Sequence, residues 1–224
     1  MLLTISDVFD AKMLSEARSL IDTLQWQDGA ETAGSVARRV KRNLQADLSS
    51  RTGVKLRKQI LDTISGHPVI RAAGQPRKFS KPILSKTAEG GAYGLHVDNA
   101  YIGTGEARVR TDLSYTLFLS DPQSYDGGEL IIERTGVTLC EKPEAGSLVL
   151  YPSSTLHRVA EVTRGTRFAL IGWIESTIPD AGAREMVFDL ENLRASLSGR
   201  LAPQSAERLI LDKTIGNMTR KFST

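Results

Sequence analysis

Two of the three histidines in this chain of 224 residues stand where they could hold a metal ion. His96 precedes Asp98 by two positions, and His157 opens a later β-leaning run. Residues two apart in an extended strand face the same side, so His96 and Asp98 can present imidazole and carboxylate to one ion. Two neutral imidazoles and one carboxylate form the ligand set of facial-triad Fe(II) sites, which keep positions open for a bidentate co-substrate and dioxygen. Arg167 follows within the apolar run Thr166-Arg167-Phe168-Ala169-Leu170-Ile171-Gly172-Trp173. A buried guanidinium needs an anion, and its planar fork suits the far carboxylate of a keto acid. The competing partner is a protein carboxylate, for example Asp112 or Glu129.

A His-X-Asp alone arises often by chance; the distal His157 and Arg167 give it weight. Zinc accepts the same ligand types. A hydrolytic zinc site would need a further carboxylate base, which nothing in the sequence marks, and the arginine favours iron. His67, between Gly66 and Pro68, reads as a structural residue at a helix stop.

The elements that must position these residues fall into three zones. Residues 1–77 read as an N-terminal helical support region. Asp10 can cap a helix carrying Met13, Ala17, Leu20, Ile21 and Leu24, and Asp47 or Ser49 opens a second with Val54, Leu56, Ile60, Leu61 and Ile64. The segment from Val40 to Gln45 is ambiguous and could be a short strand. Residues 78–177 change period, with candidate strands at 79–86, 92–97, 108–119, 128–133, 147–151, 156–162 and 166–175, as in a β-barrel or double-sheet jelly roll. Residues 178–224 return to helix, at 182–197 and 204–213. The expected class is α+β with a mainly β core, flanked by helices from both ends.

The net charge of +3 is small and the basic residues are dispersed, so no nucleic-acid partner is expected. Cys140 is the only cysteine, which rules out an intrachain disulfide and favours a reducing compartment. The N-terminal residues lack a basic, apolar signal pattern and no run approaches the length of a membrane span, so the expected location is cytoplasmic.

The run Tyr93-Gly94-Leu95-His96-Val97-Asp98-Asn99-Ala100 resembles the first metal motif of the Fe(II)- and 2-oxoglutarate-dependent dioxygenases of the prolyl 4-hydroxylase type. Asp126-Gly127-Gly128-Glu129-Leu130 is similar to that family's Gly-Gly-Glu-Leu hairpin. The run from Pro143 to Val149 leading into His157-Arg158-Val159, and the Gly165–Leu170 strand with Trp173, resemble its later motifs. Over its length the chain is most similar to the PKHD-type hydroxylases, a bacterial group often associated with iron-uptake loci. It departs in the tail, where Thr214–Lys221 is less aromatic than that group suggests.

The resemblance implies a double-stranded β-helix over residues 78–177, with Fe(II) on His96, Asp98 and His157 and 2-oxoglutarate on Arg167. It also implies dioxygen as co-substrate and L-ascorbate as auxiliary reductant. The implied reaction hydroxylates a C–H bond of a peptide, amino acid or small metabolite, releasing succinate and carbon dioxide. On the 108–119 strand, either Tyr115 or the Ser114/Thr116 face could help hold 2-oxoglutarate, because the register is open. Tyr93 falls on the face away from His96 unless Gly94 marks a bulge, which favours core packing.

Residues 99–105 read as a loop over the pocket, either substrate-contacting or solvent-facing. Asn43 and Gln45 are weaker pocket candidates, and Arg158 and Arg164 belong in solvent. The helical extension could join copies of the chain in a homo-oligomer. Competing functions are a non-catalytic iron or 2-oxoglutarate sensor, an oxidative nucleic-acid demethylase, for which the aromatic content is low, and, last, a carbohydrate-binding jelly roll.

Overall fold

The strand Leu113–Phe118 is buried along its whole length because it divides two cores. Its odd residues, Leu113, Tyr115 and Leu117, face a helical layer, and its even residues, Ser114, Thr116 and Phe118, face a second sheet. The computed structural model describes residues 1–32 and 40–224. In it, this strand lies near the middle of a nine-stranded sheet ordered Leu3–Ile5, Leu148–Pro152, Leu113–Phe118, Val162–Ser176, Ile83–Ala88, Leu44–Ala46, Trp26–Asp28. Pro76–Phe79 and Tyr125–Gly127 also pair with the long Val162–Ser176 strand. A five-stranded sheet runs Val137–Glu141, Leu130–Arg134, Leu156–Val159, Ala92–His96, Lys41–Arg42. Tyr101–Ile102 and Val109–Arg110 form a separate ribbon.

All strand pairings among the described residues are antiparallel. Phe118, Val149 and Tyr151 of the larger sheet pack against Leu130 and Ile132 of the smaller one, closing one end of the sandwich. The result is a double-stranded β-helix, a form of jelly roll.

Helices α1 (Ala11–Ile21), α2 (Arg51–Gly66) and α3 (Pro68–Gly74) cover the outer face of the larger sheet. Ala17 and Ile21, Leu56, Ile60 and Ile64, and Ile70 and Ala73 pack there against Leu84, Leu113, Leu117 and Leu170. Each leucine or isoleucine here fully removed from water contributes about 1.5–3 kcal/mol, so this layer backs the sheet behind the pocket. Asp10 caps α1, accepting from the Met13 amide at 2.8 Å. The cap of α2 is Ser50, which accepts from Gly53, rather than Asp47 or Ser49. Asp47 instead accepts from the Ser49 amide in the turn before it.

The Gly66-His67-Pro68 stop does end α2, but Pro68 then occupies the first turn of α3, where its missing N–H costs nothing. The first 77 residues are thus more than a helical support: they also supply strands to both sheets. The expected 108–119 strand is broken at Thr111 and Asp112. The Thr111 amide turns to Ala100 O, while the Asp112 amide donates to Ile174 O and its carboxylate accepts from Arg110 and from the Ser176 amide.

At the other end, α4 (Ala181–Leu197) and α5 (Ala206–Phe222) pack together, and α5 runs well past the expected 204–213. Met218 and Phe222 of the tail close on Ile178, Ala183 and Val187. No helix among the described residues is long and apolar enough to cross a membrane.

Candidate metal centre

His96 ends its strand directly opposite His157 on the neighbouring strand, so one antiparallel pairing sets the imidazoles side by side. Their ring centroids are 4.3 Å apart. Each Nδ1 lies against a backbone carbonyl two residues earlier, Gly94 O at 2.8 Å and Thr155 O at 3.0 Å. A carbonyl can only accept, so Nδ1 carries the proton and the Nε2 lone pairs face the cavity. Burial and the adjacent His157 depress His96 to about 4, which keeps it neutral at pH 7.

Asp98 lies beyond the strand end rather than two residues along it, and hydrogen bonds, not the pleat, aim its side chain. Oδ2 accepts from Ser114 Oγ at 2.5 Å and from Trp173 Nε1 at 2.9 Å, both from the larger sheet. Ser114, with its one proton given to Asp98, shares a 2.8 Å hydrogen bond with Ser153 Oγ as acceptor. Oδ1 is left 3.9 Å from His96 Nε2 and 3.8 Å from His157 Nε2. Ligand atoms of the three residues all lie within 4.8 Å of one another, a group that could hold one divalent ion. Replacing Trp173 by phenylalanine removes one of the two donors fixing Oδ2. Metal affinity should fall by about 10–100-fold, and a metal titration showing no change would remove Trp173 from the site.

A bulge between His157 and Val159 sets two residues, Gly94 and Leu95, against the single Arg158 of the neighbouring strand. The extra residue turns Tyr93 to the His96 side, where the rings stack at 3.7 Å and 20°. Tyr93 therefore lines the cavity instead of packing in the core. Burial, then Asp98, pushes its phenol up to about 12. Lys41, opposite Tyr93 on the edge strand, holds Nζ 5.1 Å from the ring centroid. Burial lowers this ammonium to about 8 against the smaller opposing pulls of Asp28 and Asp98. Tyr151 meets His157 edge-on at 5.1 Å.

The cavity holding the triad has a volume of about 510 Å³ and lies between the sheets. Arg167 is in its wall, only 2 % exposed, with Nε and Nη2 lacking a hydrogen-bond partner among the described residues. The two protein carboxylates that might have paired with it are engaged elsewhere: Asp112 by Arg110, and Glu129 by Lys142 at 3.9 Å. Burial depresses the guanidinium from its usual value, with Tyr125 and Tyr151 opposing. The Gly-Gly hairpin makes room for this side chain. Gly128 has φ 68°, and a Cβ there would stand 3.0 Å from the Tyr125 ring and 3.1 Å from Arg167 Cδ.

The two alternatives on the Leu113–Phe118 strand separate cleanly. Thr116 lines the cavity and Ser114 grips Asp98. Tyr115 points the other way, into the helical layer, because the side chains of a strand alternate. Its hydroxyl crowds Gly172, where a Cβ would sit 2.2 Å away, and has no hydrogen-bond partner among the described residues. Tyr115→Phe should leave 2-oxoglutarate affinity unchanged and stability equal or higher by about 1 kcal/mol, as calorimetry and denaturant titration would read. A large loss of affinity would return Tyr115 to the site.

Asn43 and Gln45 do line the cavity, Asn43 donating to Ser85 Oγ at 2.6 Å. The 99–105 segment contributes Asn99, Ile102, Gly103 and Thr104 to the wall. It is tied down, with Thr111 Oγ1 donating to Asn99 O and the Arg108 guanidinium 3.8 Å from the Tyr101 ring centroid. Arg158 is exposed, and Arg164 pairs with Asp126 at the surface. Lys41 and Tyr151 were not singled out by sequence. For Tyr151, alternation with Val149 along its strand was the available signal; for Lys41 there was none, since its place depends on a pairing with a distant strand.

Residues 83–175 match the family model of the 2OG-Fe(II) oxygenase superfamily. A PKHD-type hydroxylase of Hyphomonas neptunium is 51% identical over 222 residues, covering 99% of each chain. Among solved structures, similarity extends to a prolyl hydroxylase from Trichoplax adhaerens in complex with a hypoxia inducible factor peptide fragment. There the TM-score is 0.56 at 14% identity, over 78% of this chain and 83% of the other. HygX from Streptomyces hygroscopicus, with nickel and 2-oxoglutarate bound, gives a TM-score of 0.55 at 14% identity over 79% and 83%. At such identities these two structures bear on the fold alone.

Proposed function

From the premise that this chain belongs to the PKHD-type hydroxylases of the 2OG-Fe(II) oxygenase superfamily, we infer that His96, Asp98 and His157 hold its Fe(II) and Arg167 its 2-oxoglutarate. It is a 2-oxoglutarate-dependent dioxygenase. The observation that carries the residue assignment is the buried Arg167 guanidinium, short of hydrogen-bond partners in a wall of the same cavity as the triad. A dianionic keto acid would fit both features: its far carboxylate would satisfy the guanidinium, and its keto-acid end would serve the metal's open positions.

When bound, Fe(II) with 2-oxoglutarate and dioxygen supplies the oxidising power, coupling decarboxylation to succinate and carbon dioxide with hydroxylation of a C–H bond. The chain's own residues do the positioning. Ser114 and Trp173 hold Asp98 so that one oxygen faces the imidazoles. The carbonyls of Gly94 and Thr155 hold the ring tautomers. Tyr93 and Tyr151 wall the imidazoles, and the helical layer keeps water from the back of the sheet.

The substrate we propose is a small metabolite, an amino acid or a peptide. L-ascorbate as reductant, a cytoplasmic location, a homo-oligomer through the α4–α5 extension and an association with iron uptake belong to the same proposal, carried by the resemblance. So does the division into a dioxygenase core over 78–177 with flanking regions 1–77 and 178–224.

The test is conversion of 2-oxoglutarate to succinate that requires added Fe(II) and stops on chelation. Tight binding of both without turnover, with every substrate class offered, would favour a sensor instead.

A further inference from the structure

We propose that the substrate carries an oxyanion, a carboxylate or phosphate, which seats against the Lys41 ammonium at the mouth of the cavity; this rests on the site assignment above. Two observations point there independently. The first is charge. The cavity wall contains three cationic side chains, Lys41, Lys81 and Arg167, and a single acidic one, Asp98. With the site loaded, the two charges of a ferrous ion are matched by Asp98 and one carboxylate of 2-oxoglutarate. Arg167 matches the other carboxylate. Lys41, on which Asp28 also acts from outside the cavity wall, and Lys81 then leave the remaining space net positive, and a cleft with one sign of charge and low-dielectric walls draws the opposite sign.

The second is placement. Lys41 makes no ion pair among the described residues. It is half-buried on the edge strand of the smaller sheet, its ammonium over the face of Tyr93, and Tyr93 in turn stacks on His96. An anion held by Lys41 therefore lies one aromatic ring away from a metal ligand. Lys81 is exposed, just before the Ile83–Ala88 strand of the larger sheet, and marks the rim on the other side.

Between them the wall is apolar: Ile83, Ile102 and Ile171 line it, with Val97 left half exposed at 51%. An anionic head with an aliphatic body would place its head at Lys41 and its C–H bonds toward the triad. The volume of about 510 Å³ is that of a small-molecule site and must also hold 2-oxoglutarate, which favours a small acid over a polypeptide.

The test uses protein loaded anaerobically with Fe(II) and 2-oxoglutarate. It is titrated calorimetrically with aliphatic carboxylates, phosphomonoesters and carboxamides of matching skeleton. At least one acid should bind about tenfold or more tightly than its amide. Lys41→Met should remove that preference while 2-oxoglutarate affinity stays unchanged, and Lys41→Arg should restore most of it. Lys81→Met should cost less, as an exposed charge does. Which series binds identifies the oxyanion.

The proposal is overturned if amides bind as well as acids, if no small acid binds, if acids bind only within a longer peptide, or if the preference survives Lys41→Met. The comparison of acid with amide on the wild type stands even if the variant fails to fold. Failure of the wild type to bind 2-oxoglutarate at all would instead overturn the site assignment.

Discussion

Arg167→Ala is expected to weaken 2-oxoglutarate binding by about 2–5 kcal/mol, roughly thirty- to several-thousand-fold, with metal affinity unchanged. The size follows from burial: the guanidinium is 2 % exposed, so a carboxylate held there exchanges water for charge-assisted hydrogen bonds in a low-dielectric wall. Arg167→Lys keeps the charge but loses the fork, and should fall between wild type and alanine. A second measurement separates this role from a structural ion pair. Without ligand, wild-type Arg167 leaves Nε and Nη2 unsatisfied, so Arg167→Met should be as stable as wild type or more so. With 2-oxoglutarate the order should reverse, because only the wild type gains binding stabilisation. A variant that loses stability equally with and without 2-oxoglutarate would mean that Arg167 serves the fold.

Asp98→Asn should abolish turnover and reduce Fe(II) affinity by more than about 100-fold, beyond the usual cost of losing a supporting partner. Asparagine preserves shape and can still accept from Ser114 or Trp173 through its carbonyl, so the fold should survive. What it loses is the anionic oxygen that stands 3.9 and 3.8 Å from the two Nε2 atoms. Asp98→Ala should lose metal equally and also strand both donors, at about 1–3 kcal/mol of stability. His96→Ala should likewise abolish metal binding and turnover. Metal titration beside a denaturation curve checks all three, and an Asp98→Asn protein that binds Fe(II) normally would remove the carboxylate from the centre.

What the sequence made legible was chemistry carried by spacing and by alternation. His96, Asp98, His157 and Arg167 do line one cavity, and the fold class follows from the change of period near residue 78. The failures have two physical origins. Some features depend on an irregularity that no spacing announces: the bulge that turns Tyr93 beside His96, and the turn of the Thr111 amide to Ala100 that divides a long strand in two. Others depend on pairing across the chain. Lys41 reaches the cavity only because its edge strand pairs with Ala92–His96. The strand Val137–Glu141 carries little sequence signal because it lies at a sheet edge and is half exposed. The tail differs in another way: Met218 and Phe222 suffice to seat α5 without the aromatic content expected of it.

The alternation along Leu113–Phe118 has a consequence for how such a protein can change over time. One strand carries two separable sets of positions: Leu113, Tyr115 and Leu117 answer to the helical layer, while Ser114 and Thr116 answer to the cavity. Drift in the first set is filtered by folding, and drift in the second by chemistry, with little crosstalk between them. Libraries confined to other cavity-facing positions, such as Ile83, Ser85 and Ile171, can therefore explore new substrates on a scaffold whose mutational tolerance is set elsewhere.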